Sequence, residues 1–243
     1  MKLYVLGCGD AFGSGGRNQS GYLIDAADRL FLLDCGPTSL PAMKKQGFDP
    51  GRLEAILISH LHGDHFAGLP FFFLEYMYER QRERPLHIAG PEGTEQRVRD
   101  LFSLMYSNTK PIDLPDIRFH VLQPGETIDV EGIEVFSFRV PHQVQEISLA
   151  LKVAYDGRKI LFSGDSAWTD DFLLHACDVD MFLCECSYYE RQTPNHMNYL
   201  QLRQQLAKLQ CKKILLTHLG SDMIARLAEI PYSTAQDGLT VEF

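Results

Sequence analysis

The segment AILISHLHGDHFAGL, residues 55–69, limits what this chain can become. Ala55–Ile58 is an apolar, β-rich run that reads as a buried strand. It leads directly into His60, His62, Asp64 and His65, four metal-competent side chains within six residues. Burying them without partners would cost several kcal/mol each, so they cannot all enter a core. Alternate side chains at a strand end point the same way, which lets His60 and His62 share one ion. The turn at Gly63 then directs Asp64 and His65 elsewhere, toward a second ion about 3.5–4 Å from the first. Imidazole and carboxylate are ligand types suited to such a centre. A solvated turn that happens to be rich in histidine accounts for neither the types nor the spacing.

The remainder of the chain can house such a site. Its 243 residues, 45% hydrophobic and 23% charged, have the profile of a soluble globular protein with ample core. A net charge of −9 gives no general attraction to nucleic acid or to an anionic membrane. The opening MKLYVLGCGDAFG reads as a first strand rather than a targeting segment, and no run is long enough to span a membrane. Cys8, Cys35, Cys177, Cys184, Cys186 and Cys211 lack a secreted framework, so reduced thiols in the cytoplasm are expected. Cys184 and Cys186, in DMFLCECSYY at a strand and its end, read as a buried structural pair in preference to a metal pair.

No repeat, low-complexity run or linker divides the chain, so one domain is expected over 1–243. Strand patterns fall at Leu3–Leu6, Gly21–Ile24, Phe31–Leu33 and Ala55–Ile58. In TEQRVRDLFSLMYS (94–107), Val98, Leu101, Phe102 and Met105 mark one apolar helix face, with Thr94 as the cap. Further strands are read at 117–121, 126–130, 133–140, 147–154 and 159–162, with Asp156-Gly157 as a turn. Helices are read at 168–176 and 198–209. In the latter, Leu202, Leu206 and Leu209 share a face and Asn198 with Gln201 forms a capping box. The segment KKILLTH supplies a last strand. Two packed sheets with helices on their outer faces follow. The aromatics of LPFFFLEYMYERQ are expected to fill the core beneath a helix, with Tyr76 and Tyr78 as candidates for a pocket mouth or a homodimer contact.

The pattern His60-x-His62-x-Asp64-His65 after a strand resembles the signature of the metallo-β-lactamase-fold hydrolases. VPHQ, FSGDS and LLTHLG then supply His142, Asp165 and His218 in that family's order, so the resemblance covers essentially the whole chain. It implies a mixed α/β fold, a four-layer αββα sandwich with a metal pair at one edge between the sheets. It places His60, His62 and His142 on one ion and Asp64, His65 and His218 on the other, with Asp165 bridging. Two divalent ions are implied, zinc first and manganese as the alternative that the same ligands accept. Taken singly, His142 and His218 would be ordinary loop or strand-end residues and Asp165 a helix cap. The leftover His87, His120 and His175 are read as structural or surface residues.

Fold does not settle substrate. An aspartate at position 165 argues against the main class of β-lactamases, which the resemblance would give a cysteine there. Too few residues follow His218 for the extra domain of a glyoxalase-type thioesterase. The segment LGCGDAFGSGGRNQSGYLI resembles the opening of the ribonuclease Z branch, with Arg17-Asn18-Gln19-Ser20 as its Arg-Asn-x-Ser element. Its glycines are not a dinucleotide fingerprint, because a strand and not a helix follows.

The stretch ECSYYERQTPNHMNYLQLRQQL, followed by KKILLTH, resembles the ribonuclease Z and cyclic-phosphodiesterase branch. There an extra histidine, here His196, protonates the departing oxygen. Hydrolysing a phosphodiester calls for a metal-bound hydroxide and for an acid to protonate the leaving alkoxide, a task suited to histidine. Asp64 and His196 are accordingly the expected catalytic residues. Glu185 either orients His196 or is a structural carboxylate at a strand end, and both readings stand. Between His142 and Asp165 the chain fits two strands and a turn, leaving no room for the arm with which ribonuclease Z grips tRNA. With the acidic charge, this favours a small phosphodiester, cyclic diesters included, over RNA. The nearer resemblance is to the phosphonate-pathway cyclic phosphodiesterase, though Cys8 stands nearly alone where that enzyme carries a cysteine cluster for an accessory zinc. The alternatives are a ribonuclease Z-like RNA processor and, behind it, a lactonase or thioesterase.

Overall fold

Alternation along the strands decides which face of each sheet is buried against which partner. The computed structural model describes residues 1–26, 28–80, 82–106 and 117–243. Its first half lays down β1 (Lys2–Gly7), β2 (Gly21–Ala26), β3 (Arg29–Leu33), β4 (Ala55–Leu57), β5 (Leu86–Gly90) and β6 (Ile117–Val121). Then come β7 (Thr127–Val130), β8 (Ile133–Arg139), β9 (Leu149–Tyr155), β10 (Arg158–Phe162), β11 (Met181–Glu185) and β12 (Ile214–Thr217), and β13 (Thr240–Glu242) closes the chain. They form a seven-stranded sheet, β13-β1-β2-β3-β4-β5-β6, and a six-stranded sheet, β12-β11-β10-β9-β8-β7.

Phe31 and Leu33 of β3 face the second sheet, packing with Val135, Leu151, Val153, Ile160 and Phe162 in one fully buried cluster. Leu30 and Leu32, one position out of phase, face the other way, onto helices carrying Met43, Leu69, Phe72, Val98 and Phe102. The outer face of the second sheet packs Leu161, Phe182 and Leu216 against Phe172, Leu202 and Leu206. Helices α1 (Ser39–Lys45), α2 (Gly63–Phe66), α3 (Leu69–Leu74) and α4 (Thr94–Met105) belong to the first half, and α5 (Asp171–His175), α6 (Tyr199–Leu206) and α7 (Ser221–Ile224) to the second. Helix on sheet on sheet on helix is the four-layer arrangement read from the sequence.

Several local readings shift. Thr94 does not cap α4; Gly93, with φ of 87°, occupies the cap, and the Thr94 hydroxyl donates to the Pro91 carbonyl (2.6 Å). Asn198 does cap α6, accepting from the Gln201 amide (2.9 Å), but its amide reaches the Gln201 side chain, which leaves the reciprocal half of the box unmade. Helix α3 passes into one π-helical turn at Glu75–Glu79. That turn buries Tyr76, whose hydroxyl donates to the Pro50 carbonyl (3.1 Å), so Tyr76 is a core residue and not a rim or dimer contact. Tyr78 is exposed. Ser107 and Gln81, at the ends of two quoted stretches, lie outside the described residues. Residues 142–165 hold β9, β10 and the two-residue turn Asp156-Gly157, both at positive φ, as a tight hairpin requires.

Candidate metal centre and the neighbouring histidine–glutamate pair

The expected ligands come from strand ends of both sheets and meet at one edge. His60, His62, Asp64 and His65 follow β4, His142 follows β8, Asp165 follows β10 and His218 follows β12. They form two groups whose donor atoms lie within 4.8 Å of one another: His60, His62, His142 and Asp165, and Asp64, His65, Asp165 and His218. The turn carrying Asp64 is held by backbone contact that excludes any side chain. A Cβ on Gly36 would stand 2.5 Å from the Asp64 carbonyl oxygen, and one on Gly68 only 2.2 Å from that of Gly36.

In the first group, His62 Nδ1 lies 3.2 Å from His60 Nε2 and 3.0 Å from His142 Nε2. In the second, His65 Nε2 is buried and makes no hydrogen bond among the described residues. It nevertheless stands 3.1 Å from Asp64 Oδ2 and 3.3 Å from Asp165 Oδ1. Nitrogens and carboxylate oxygens crowded in this way face a shared point, and the donor set is the one that divalent transition metals take. The two groups therefore fit two ions. Asp165 divides its oxygens between them. Its Oδ2 is 3.9 Å from both His60 Nε2 and His142 Nε2, and its Oδ1 is 3.3 Å from both His65 Nε2 and His218 Nε2.

The far side of four rings is also fixed. His142 Nδ1 donates to the Asn195 carbonyl (2.9 Å). His65 Nδ1 donates to Asp34 Oδ2 (2.6 Å), and that carboxylate also accepts from the Ser59 amide (2.8 Å) and hydroxyl (2.9 Å). With its proton on Asp34, the Ser59 oxygen accepts from His60 Nδ1 (3.0 Å). His218 Nδ1 lies 3.0 Å from the Ser187 hydroxyl. Each bond turns a ring's Nε2 inward, a recurrent way of orienting metal-ligating histidine. Asp34 and His218 both hold left-handed backbone, with φ of 55° and 56°, at a cost of about 1–2 kcal/mol each. Sequence reasoning passed over Asp34, Ser59, Ser187 and the Asn195 carbonyl. A signal existed for Asp34, since a carboxylate ending the apolar run RLFLLD needs a partner.

Charge is unevenly distributed over the two groups. Burial holds His60 well below the usual imidazole range, lowers His62 and brings His142 to about 4, so the three imidazoles of the first group are neutral and free to donate lone pairs. In the second, burial opposes charge, yet Asp165 and Asp64 raise His65 and bring His218 to about 9. Burial likewise opposes ionisation of Asp64 and Asp165, and the imidazoliums overcome it, holding both carboxyls below their usual range.

His196 stands between the groups, its ring centroid 4.9 Å from that of His142 and 6.0 Å from that of His218. Its Nδ1 donates to Glu185 Oε1 (2.5 Å). Glu185 is fully buried and also accepts from the Ser187 hydroxyl (3.0 Å) and the Met197 amide (2.7 Å). Burial would lower His196, but the bond to Glu185 raises it. Of the two readings of Glu185, the geometry gives the orienting one.

The other singled-out residues stay apart. Cys184 and Cys186 are buried, their thiols pushed up by burial. The Cys8 thiol, which burial pushes up to about 12, lies 3.3 Å from Asp237 and 3.1 Å from Arg17. Arg17 and Asn18 tie the first turn to the carbonyls of Ala235 and Leu6, and the Asn18 amide donates to Asp237, so this element is a clasp between the chain's two ends. His87 and His120 bond each other (2.9 Å), and His175 stacks on Phe138.

The profile of the family described as Anti-Pycsar protein Apyc1 matches residues 1–230. The probable metallo-hydrolase YhfI of Bacillus subtilis strain 168 is 27% identical over 226 residues, 90% of this chain and 87% of its own length. Ribonuclease Z of Methanococcus maripaludis strain C7 is 31% identical over 153 residues, 63% of this chain, and the match spans about half (48%) of that relative. Among solved structures, human tRNase Z, short form, superposes with a TM-score of 0.81 at 23% identity, covering 100% of this chain and 99% of that one. A diphosphatase of the PhnP family superposes with a TM-score of 0.80 at 20% identity, covering 100% and 97%. The crystal structure of YhfI, a metallo-β-lactamase fold protein, superposes at 0.77 and 23% identity, covering 99% of each. These superpositions bear on the fold.

Proposed function

Since this chain belongs to the family of the anti-Pycsar protein Apyc1, among metallo-hydrolases of the metallo-β-lactamase fold, we propose that it is a dinuclear metal-dependent phosphodiesterase acting on a small phosphodiester, cyclic diesters included. His60, His62 and His142 would hold one ion, Asp64, His65 and His218 the other, and Asp165 both. Zinc is the first candidate, with manganese accepted by the same donors. Two such ions supply Lewis-acid polarisation of a phosphoryl group and a water whose pKa falls to about 7.

The observation that carries the phosphodiester reading is the Glu185–His196 pair standing between the two groups. Glu185 fixes the proton on Nδ1, so Nε2 is the nitrogen that gives its proton to the departing oxygen. An alkoxide is a poor leaving group and needs that proton, whereas a lactone or thioester gives the pair less to do. Asp64 anchors the second group and carries negative charge toward the same cleft. RNA processing is the second reading, favoured by the ribonuclease Z relatives. The short hairpin between His142 and Asp165 and the net charge of −9 favour the smaller substrate.

The test is a turnover screen of metal-reconstituted protein against cyclic nucleotides, cyclic sugar phosphates, lactones and a precursor tRNA. Small diesters should be cleaved well ahead of the rest. Efficient, position-specific removal of a tRNA 3′ trailer at low enzyme concentration would put the second reading first.

A further inference from the structure

We propose that Ser187 is a positioning residue that couples the proton-donating pair to the ion held by Asp64, His65, Asp165 and His218. The inference rests on the dinuclear reading above. Its hydroxyl oxygen lies 3.0 Å from Glu185 Oε1, 3.0 Å from His218 Nδ1 and 3.4 Å from His196 Nδ1. A hydroxyl has one proton and two lone pairs, so its role is set by its neighbours. Glu185, with the His196 ring and the Met197 amide also donating to it, is an acceptor. The Ser187 proton therefore goes to Glu185, and the oxygen is left to accept from His218 Nδ1–H. That assignment keeps the Nδ1 proton directed at Ser187 and makes Nε2 the nitrogen that would give up its proton to bind an ion, on the side facing Asp64 and Asp165 (3.4 and 3.3 Å).

The result is a continuous chain: His196 to Glu185, Glu185 to Ser187, Ser187 to His218. One buried carboxylate polarises both the ring that gives a proton and, through one hydroxyl, a ring that would bind an ion. Electron density pushed toward Nδ1–H makes Nε2 a better donor, the usual effect of an outer partner on a ligating histidine. The opposite wall repeats the device: Asp34 accepts from His65 and from Ser59, whose oxygen accepts from His60. There the carboxylate serves two ligands. At Ser187 it serves one ligand and the acid, so occupancy of the second ion and readiness of the proton donor depend on the same two bonds.

The test measures binding, not turnover. Zinc affinity of each site is determined by chelator competition on wild type, Ser187→Ala, Ser187→Thr and Glu185→Gln. Ser187→Ala should lose about 10–100-fold at the His218 site, the range for an outer partner, and nothing at the His60 site. Ser187→Thr keeps the hydroxyl and should bind as wild type. Glu185→Gln touches no ligand, yet should lose part of the same affinity at the same site, and this arm stands even if Ser187→Ala fails to fold. Two ions on wild type with Glu185→Gln unchanged would overturn the coupling and leave the dinuclear reading intact. Wild type with no second ion would overturn the dinuclear reading itself, and the coupling with it.

Discussion

Removing the imidazole of His196 should separate substrates by what departs from phosphorus. A positioned general acid contributes about 10²–10⁴-fold to rate, or about 3–5 kcal/mol of barrier. The proposed role of His196 should fall in the upper part of that range. Its ring is held at 2.5 Å by a buried carboxylate that is itself fixed by the Met197 amide and the Ser187 hydroxyl, so little alignment is left to be made during reaction. For a diester with an alkoxide leaving group, His196→Ala should therefore reduce kcat by about 10³–10⁴-fold at saturating metal. For bis(p-nitrophenyl) phosphate, whose departing anion is stable near neutral pH, the loss should stay below about 10-fold. Glu185→Gln, assayed at saturating metal, should show the same selectivity in milder form. The assay is steady-state turnover of both substrates on each variant, with metal content measured on every preparation. Equal losses on the two substrates would refute proton donation and make His196 a binding or positioning residue. No loss on either would make it an ordinary loop histidine.

Elemental analysis of the fully loaded protein should find close to two transition-metal ions per chain. His62→Ala should weaken one site, His218→Ala the other, and Asp165→Ala both; a single ion in fully active wild type would contradict the scheme. Away from the site, burial would raise Asp180, but bonds from Lys212, the Lys159 amide and Arg158 hold it at about 2. Because Lys212 and Arg158 are more than half exposed and screened by solvent, the drop from the ordinary 3.8 to about 2 is worth about 1 kcal/mol, present above pH 4 and lost as pH falls through 2. Asp180→Asn should lower Tm by about 3 °C at pH 7 and by much less near pH 2, as scanning calorimetry across that range would show.

The residues that the structure gathers into the two candidate groups were legible because side chains of this chemistry have little other reason to cluster at strand ends. The sandwich was legible in short apolar runs such as Leu30 to Leu33, which a strand buried on both faces needs: Phe31 and Leu33 against the second sheet, Leu30 and Leu32 against the helices. What stayed hidden was defined by partners far along the chain. Asp34 meets Ser59 and His65 across 25 and 31 residues, and Ser187 meets His218 across 31. Nothing local distinguishes a serine that completes such a chain from one in a loop. Thr94 misled for a related reason: its composition suits a cap, but Gly93 reaches the left-handed turn that a threonine there would strain to adopt. Tyr76 misled because a single π-helical turn rotates the residues after Leu74 away from ordinary helical phase.

The ligands come from both sheets, and Asp64 and His218, 3.4 Å apart in space, are separated by 154 residues. No unfolded or half-folded chain can present this arrangement, so ions held as proposed would bind the docked sandwich and little else. By mass action, each ion at about 100 times its dissociation constant then adds about 2.7 kcal/mol to the folded state. Ions held in the two proposed sites would therefore act as a clamp between two layers that otherwise adhere through apolar contact. Resistance to heat, denaturant and protease would then be a function of metal supply, and withdrawing the metal would loosen the protein as well as silence the proposed activity.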